Sequence, residues 1–133
     1  MDNEGKHMTP IRQIHPATGN PPIGPYSPAV VCGNTIYVSG QIPRSADGKI
    51  VADSIEAATR QSLENLRAVL TAAGCTPSHV AKTTVFMIDL GEFEGMNKTY
   101  AEFFGEHRPA RSTVQVSKLP AGSRVEIDCI AVL

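Results

Sequence analysis

The first strongly patterned part of the chain is a pair of β-favouring runs around a turn. Residues 30–32 and 36–39 are largely apolar and β-branched, and Gly33-Asn34 lies between them. A Gly/Asn dipeptide between two such runs predicts a β-hairpin. Six of the ten prolines precede residue 29, so we expect mostly extended chain with turns there.

A helical pattern begins shortly after this hairpin. Apolar and small residues recur at intervals of three or four positions and define one buried stripe: Ile55, Ala58, Ser62, Leu66, Val69 and Ala73. Asp53 with Glu56 three residues later predicts a capping-box start. Gly74 occupies the position where glycine commonly ends a helix.

A strand and a second helix are predicted next. Residues 85–88 are continuously apolar, which is typical of a strand covered on both faces. Asp89 and Glu92 are candidate caps for the following helix. That helix would carry its large apolar side chains on one side: Phe93, Met96, Tyr100, Phe103 and Phe104.

The chain ends in two alternating runs, residues 111–119 and 123–133, joined by Pro120-Ala121-Gly122. We expect them to form a second hairpin. The order hairpin, helix, strand, helix, hairpin predicts an α+β domain with two helices on one face of a mostly antiparallel sheet. The final strands are polar on one side, so the uncovered sheet face meets either water or other copies of the chain.

Composition narrows the function classes. The chain has 133 residues and a net charge of −1, which fits a single domain over residues 11–133 behind a flexible segment, residues 1–10. A near-neutral charge argues against sequence-independent binding of nucleic acid. No apolar run approaches the ~18 residues that a membrane helix needs. The three scattered cysteines fit reduced thiols and a cytoplasmic protein.

Familiar catalytic motifs are absent. The sequence has no GxGxxG, P-loop, GxSxG or HExxH motif, and its four histidines are far apart. We therefore expect no metal site, and surface or capping roles for the histidines. Each cysteine lies in an apolar or β-like run, where a buried, inert thiol is expected.

Two charges in the final strands are candidates for chemistry. Arg111 opens one strand, and Glu126 lies between two apolar residues of the other. A surface ion pair for Arg111 and a solvated position for Glu126 are the alternatives. In a hairpin turning at residues 120–121, Arg111 would lie opposite Ile130 and Gln115 opposite Glu126. Strand parity would then place five polar side chains on one face: Arg111, Thr113, Gln115, Glu126 and Asp128.

In that geometry the two charges would still be far apart. Glu126 and Ile130, the residue expected opposite Arg111, are separated by roughly 13 Å along a strand. One small molecule does not bridge that distance within one chain. A site that uses both charges would therefore take them from two subunits.

Several segments, taken together, are specific to one family. They are residues 24–27 (GPYS), 38–43 (VSGQIP), 61–65 (QSLEN), 82–86 (KTTVF), 97–100 (NKTY), 109–112 (PARS), 119–120 (LP), 125–127 (VEI) and 130–132 (IAV). In this order and spacing, the chain from about Ile11 onward resembles the RidA/YjgF family, also labelled endoribonuclease L-PSP.

The resemblance implies a chorismate-mutase-like α+β fold assembled as a homotrimer, with a barrel of sheets inside and helices outside. It implies active sites between subunits that hydrolyse 2-imino or 2-enamino acids, such as 2-iminopropanoate and 2-iminobutanoate, to 2-keto acids and ammonia. No cofactor is expected, because an imine carbon is already electrophilic. Some relatives are described instead as ribonucleases or translation inhibitors, and a trimer that binds ligands or proteins without turnover is a further alternative.

The resemblance also implies roles for individual residues. Arg111 would hold the substrate carboxylate through two parallel hydrogen bonds, and Glu126 would orient or deprotonate the attacking water. Other residues expected to bind substrate or to support the cleft are Tyr26, Ser39, Gly40, Asn97 and Thr113. The bland alternatives are a packed ring with a bonded hydroxyl for Tyr26 and a helix-surface amide for Asn97.

Three features depart from the family pattern. Thr113 stands where many relatives carry cysteine, so thiol chemistry is not available at that position. Residues 105–108 form a shorter segment than in many relatives. Arg108 replaces an apolar, often aromatic, residue before Pro109. A second positive charge near Arg111 either favours a longer or doubly acidic substrate or points to solvent.

Overall fold

The computed structural model describes residues 8–133. Over these residues the chain forms one six-stranded sheet and two α-helices. The strands are β1 (Ile11–Ile14), β2 (Ala29–Cys32), β3 (Thr35–Gln41), β4 (Val80–Met87), β5 (Ala110–Gln115) and β6 (Val125–Val132), and the helices are α1 (Ile55–Ala72) and α2 (Phe93–Phe104). The α+β class is therefore confirmed. Of the segment predicted to be flexible, residues 1–7 lie outside the described residues.

The strands lie in the order β1-β2-β3-β6-β4-β5. The hairpin of β2 and β3 is confirmed, with Gly33 at a φ of 63° in its turn. β1 pairs antiparallel with β2 at one edge of the sheet. This strand lies in the region for which the sequence predicted only extended chain.

The predicted hairpin of the last two strands is wrong. β5 pairs parallel with β4, and β6 lies between β3 and β4, so β5 and β6 do not touch as neighbours. A parallel pair needs a crossover connection, and α2 provides it between β4 and β5. The turn at residues 120–122 therefore carries the chain past β4 rather than back along β5.

α1 begins one residue later than the capping-box prediction. The N-cap is Ser54, whose Oγ accepts a hydrogen bond from the Ala57 amide at 3.0 Å. Asp53 is therefore not the cap. The predicted end is confirmed, because Gly74 adopts a φ of 83° just after the helix, a conformation that side chains with a Cβ disfavour.

α2 is preceded by a short 3₁₀ turn. Asp89 caps that turn, accepting from the Gly91 amide at 2.8 Å, whereas Glu92 makes no side-chain cap to α2. Of the predicted apolar stripe, Met96, Tyr100 and Phe104 are buried. Phe93 remains 37% exposed at the start of the helix.

Both helices lie against one face of the sheet. The core between them contains Leu63, Leu66, Met96, Val85 and Ile127, each fully buried. α1 and α2 also contact each other, and an exposed ion pair joins Arg60 to Glu102 at 2.7 Å. Over the described part of the chain, neither helix combines the length and hydropathy that a membrane-spanning helix requires.

Among residues 8–133 no helix lies against the other sheet face, which exposes several apolar side chains: Ile11, Tyr37, Val114, Ile130 and Val132. We call it the open face. Phe86 in β4 points to this side and is only half-buried, while Val85 and Met87 are buried on the helix side. The prediction that residues 85–88 are covered on both faces is therefore wrong for a single chain.

Candidate functional site

Arg111 lies in the edge strand β5 and projects toward α2. Its guanidinium carbon lies 4.7 Å from the ring centre of Tyr100 and 5.6 Å from that of Phe93. Within residues 8–133 no carboxylate lies within 4.0 Å of this guanidinium. The surface ion pair considered for Arg111 is thus not formed. A half-buried cation without a counter-ion is a natural receptor for an anion.

Tyr100 positions the Arg111 guanidinium. Its hydroxyl is hydrogen-bonded to Oγ1 of Thr83 at 2.7 Å, beneath the helix layer, and Thr83 is the β4 partner of Arg111. Burial raises the pKa of Tyr100, although the Thr83 hydrogen bond and the charge of Arg111 oppose this shift. The ring therefore stays neutral and offers a stable face to the guanidinium.

Asn97 and Arg111 share one surface depression of about 450 Å³, together with Tyr100, Ala101, Arg108 and Pro109. Asn97 lies one turn before Ala101 on α2, so its amide reaches the same opening as the guanidinium. We call this opening the arginine depression. Thr113 lies two residues beyond Arg111 on the same side of β5 and is half-buried.

Glu126 lies in β6, where it pairs with Phe86 on the open face. Its side chain lies against the backbone of Gly40. A Cβ added at Gly40 would lie 2.7 Å from Glu126 Cδ and closer still to Oε2. A larger residue at position 40 would therefore displace the Glu126 carboxylate from this position.

The surroundings of Glu126 disfavour its charge. Burial raises its pKa above the ordinary 4.5, and the nearby Asp128 adds to that shift. Burial also raises the pKa of Asp128, opposed by the hydrogen bond from the Thr84 amide and by the charge of Lys82. A carboxylate whose pKa is moved toward neutrality becomes a better base.

Arg111 and Glu126 lie on opposite faces of the sheet. Arg111 is in register with Thr83, while Glu126 is in register with Phe86, three residues further along β4. Paired residues point to the same face, and positions three apart in a strand point to opposite faces. The prediction that these two charges share one face is therefore wrong, because it assumed that β5 and β6 are neighbours.

Tyr26 and Gly40 line a second pocket of about 320 Å³, between α1 and the proline-rich loop before β2. Tyr26 is 47% exposed, and within residues 8–133 its hydroxyl has no hydrogen-bond partner. Ser39 donates from Oγ to the Ser27 carbonyl at 2.7 Å, which positions the irregular end of β3 beside Gly40. The expected site residues therefore form separate groups within one chain.

Some neighbours of the site were not found in the sequence. The support of Arg111 by Tyr100 and Phe93, and the pairing of Glu126 with Asp128, depend on which strands and helices become neighbours. The sequence pattern places Tyr100 only in the apolar stripe of the second helix. Its spacing of three residues from Asn97 is the one local signal that both belong to one helix face.

The thiols and histidines do not suggest other chemistry. Cys75 and Cys129 are buried as expected, and burial raises the pKa of Cys129 to about 12, which disfavours a reactive thiolate there. Cys32 is only partly buried, so the expectation of a buried thiol is wrong at that position. Among the described residues, no three His, Cys, Asp or Glu side chains are grouped to hold a metal ion. His79 caps the turn at Thr76, accepting from its amide at 3.0 Å.

Comparisons with known proteins assign the family. A family model described as endoribonuclease L-PSP matches residues 18–133. A RutC family protein of Pyrococcus horikoshii is 49% identical over 111 residues, covering 83% of this chain and 88% of that protein. A 2-iminobutanoate/2-iminopropanoate deaminase of Salmonella typhimurium is 46% identical over 121 residues, covering 87% of this chain and 94% of the relative.

The fold of the chain also matches that of a solved structure. The structure of Escherichia coli TdcF with bound serine aligns with a TM-score of 0.84 and 41% identity, over 92% of this chain and 98% of that one. Sequence and fold thus agree over nearly all of the described residues. The chain belongs to the endoribonuclease L-PSP family, the same RidA/YjgF family that its motifs resemble.

Proposed function

We propose that this protein is a cofactor-free deaminase that hydrolyses 2-imino and 2-enamino acids, such as 2-iminopropanoate and 2-iminobutanoate, to 2-keto acids and ammonia. Its active sites lie between the subunits of a homotrimer. The observation that carries this proposal is Arg111, a half-buried guanidinium over Tyr100 without a carboxylate partner among residues 8–133. The substrate carboxylate supplies the missing anion.

Arg111 binds that carboxylate and thereby orients the imine. Its planar fork pairs with both carboxylate oxygens, which a lysine would not do. Asn97, in the same depression, offers an amide donor and acceptor for the remaining polar atoms of the substrate. Thr113 borders the site further along β5.

Glu126 acts on the water. It accepts a proton from the water as the oxygen bonds to C2 of the protonated imine, which gives a tetrahedral carbinolamine. The protonated carboxyl then returns the proton to the amino group. As ammonia leaves, Glu126 takes the proton of the carbinolamine hydroxyl and a C=O bond forms. That proton then passes to ammonia, so that one protonated imine and one water yield one keto acid and one ammonium ion. The raised pKa of Glu126 suits both the acceptance and the return of the proton.

The division between faces supports a site shared by two copies. Arg111 faces α2 and Glu126 belongs to the open face, so no small substrate contacts both within one chain. When a neighbouring copy covers the open face of the first copy, Arg111 of one copy and Glu126 of the other can border the same cleft. The exposed apolar side chains of the open face fit such an assembly.

The remaining cleft residues follow from this arrangement. Gly40 gives room to the Glu126 carboxylate, and Ser39 holds the end of β3. Tyr26 contributes an exposed hydroxyl from the loop before β2. The names of two relatives add support, since one is a 2-iminobutanoate/2-iminopropanoate deaminase and another was solved with bound serine, a small amino acid.

The proposal is tested with a coupled assay. A dehydratase generates 2-iminobutanoate, semicarbazide competes for it, and keto-acid release is followed. We expect wild type to accelerate release and Arg111→Ala to lower kcat/KM by about 100-fold, from loss of a charge-assisted contact of about 1.5–3 kcal/mol.

Arg67→Ala is the matched control. Arg67 also lies over an aromatic ring, Phe103, at 4.6 Å, but neither residue lines the arginine depression. Its loss should leave kcat/KM unchanged. No acceleration by wild type would refute the deaminase proposal for this substrate. Cleavage of RNA that persists in Arg111→Ala would favour a ribonuclease instead.

A further inference from the structure

The arginine depression contains a second cation, Arg108. It lines the same opening as Arg111 and Asn97. Within residues 8–133 neither guanidinium has a carboxylate within 4.0 Å. Two positive groups that line one opening without counter-ions favour the binding of an anion there. The depression therefore has more positive charge than a single carboxylate neutralises.

Arg108 is held in place by the segment that precedes it. Its Nη1 donates to the Gly105 carbonyl at 2.6 Å, and Gly105 ends α2 with a φ of 65°. Next to it, the His107 ring is hydrogen-bonded to the Val80 carbonyl at 2.7 Å and lies 6.3 Å from the Phe104 ring. Pro109 then restricts the backbone after Arg108.

Among the residues that the structure describes, the rest of the Arg108 guanidinium has no hydrogen-bond partner and is open to a ligand. One hydrogen bond uses only one of its five N–H donors. The side chain is exposed, so it reaches solvent at the mouth of the depression, whereas Arg111 lies deeper against Tyr100. A ligand that is bound at Arg111 by one carboxylate and carries a second one has Arg108 as a further cation in the same opening.

We propose that Arg108 is a specificity-determining residue that directs the site toward 2-imino acids with a second carboxylate, such as 2-iminosuccinate and 2-iminoglutarate. This rests on the proposed deaminase function. Arg111 takes the carboxylate next to the imine carbon, and Arg108 takes the one at the far end. The reaction that supplies such a substrate is oxidation of an acidic amino acid at its α-carbon, which forms the imine directly.

The test compares kcat/KM for two imines. An amino-acid oxidase acting on aspartate supplies 2-iminosuccinate, and a dehydratase supplies 2-iminobutanoate. We expect wild type to prefer the dicarboxylic imine, and Arg108→Gln to lower the ratio of the two kcat/KM values by about tenfold, as loss of one exposed charge-assisted hydrogen bond implies. Arg108→Lys should lose less, because it keeps the charge.

Arg67→Gln is the control, because it removes one exposed positive charge that does not line the depression. It should leave the ratio unchanged. An equal ratio in wild type and Arg108→Gln would overturn the assignment. If wild type accelerates neither imine, the proposed function fails, and calorimetry decides about Arg108 separately. Tighter binding of 2-oxoglutarate than of 2-oxobutanoate, lost in Arg108→Gln, would still support it, and equal binding would overturn it.

Discussion

Glu126 shares its sheet face with a second carboxylate, Asp128, two residues further along β6. Burial comes first among the causes that raise the pKa of Glu126, and the charge of Asp128 comes second. Lys82 lies on the same face and acts chiefly on Asp128. The protonation of the proposed base therefore depends on a residue that need not touch the substrate.

This arrangement predicts the pH dependence of the reaction. The ionised form of Glu126 accepts the proton, so kcat/KM should rise with pH through its raised pKa. Asp128→Asn removes the neighbouring charge but keeps an oxygen that can accept from the Thr84 amide. We expect the acid limb of the kcat/KM profile to move to lower pH in this variant.

Asp47→Asn is the control for that measurement. Asp47 lies in an exposed turn, where its carboxylate accepts from the Lys49 amide at 3.0 Å. Its loss should leave the acid limb where it is. An acid limb that stays unchanged in Asp128→Asn would show that Asp128 does not influence the base.

The sequence singles out Arg111 and Glu126 as candidates, but it does not predict their surroundings. A charged residue beside strand-forming neighbours is visible in a single segment of sequence. That Tyr100 lies under Arg111, or that Gly40 makes room for Glu126, follows from contacts between distant segments. Such contacts depend on strand order and register, which local patterns do not specify.

The elements with strong local signals were predicted well, and α1 is an example. Its repeating apolar stripe and the glycine after its end both lie within one stretch of chain. Its first residue was misplaced because Asp53 and Ser54 are both good N-caps. Only the structure shows which of the two accepts the amide hydrogen bond.

That difference is testable by stability. Ser54→Ala removes the acceptor for the Ala57 amide, and we expect it to lower the free energy of unfolding by about 1 kcal/mol. Asp53→Ala should change it by less than about 0.5 kcal/mol, as is usual for an exposed surface site. Urea unfolding of both variants checks this. A larger loss from Asp53→Ala would contradict the observed cap.

The pairing of β5 with β4 could not be predicted from the local sequence pattern, for a physical reason. The turn at residues 120–122 and the alternation on both sides of it are compatible with a hairpin. However, β4, which comes earlier in the chain, pairs with both of these runs. The parallel pairing of β4 with β5 uses α2 as its crossover, so it depends on contacts between residues far apart in sequence.

For the whole molecule, the opposite placement of Arg111 and Glu126 predicts complementation between inactive variants. Arg111→Ala and Glu126→Gln subunits, each inactive alone, should regain activity when refolded together, because some interfaces then contain one intact residue from each chain. With equal, random mixing in a cyclic trimer, about one quarter of the sites are intact.

The control for complementation is Arg111→Ala refolded alone by the same procedure, which should stay inactive. Light scattering should give a mass of three times 14.2 kDa for wild type and mixture alike. A mass of 14.2 kDa would refute the shared site. Trimers that recover no activity on mixing would instead place both groups in the same subunit's site.

The stacking of Arg111 on Tyr100 also has a consequence for the thermodynamics of binding. A long side chain that is mobile before binding loses rotamer freedom when an anion immobilises it, at a cost of about 0.5–1.5 kcal/mol. Arg111 is already restrained by two aromatic rings, and Tyr100 is itself anchored to Thr83. Most of that entropic cost is therefore met when the chain folds, which favours tight capture of a small, short-lived ligand.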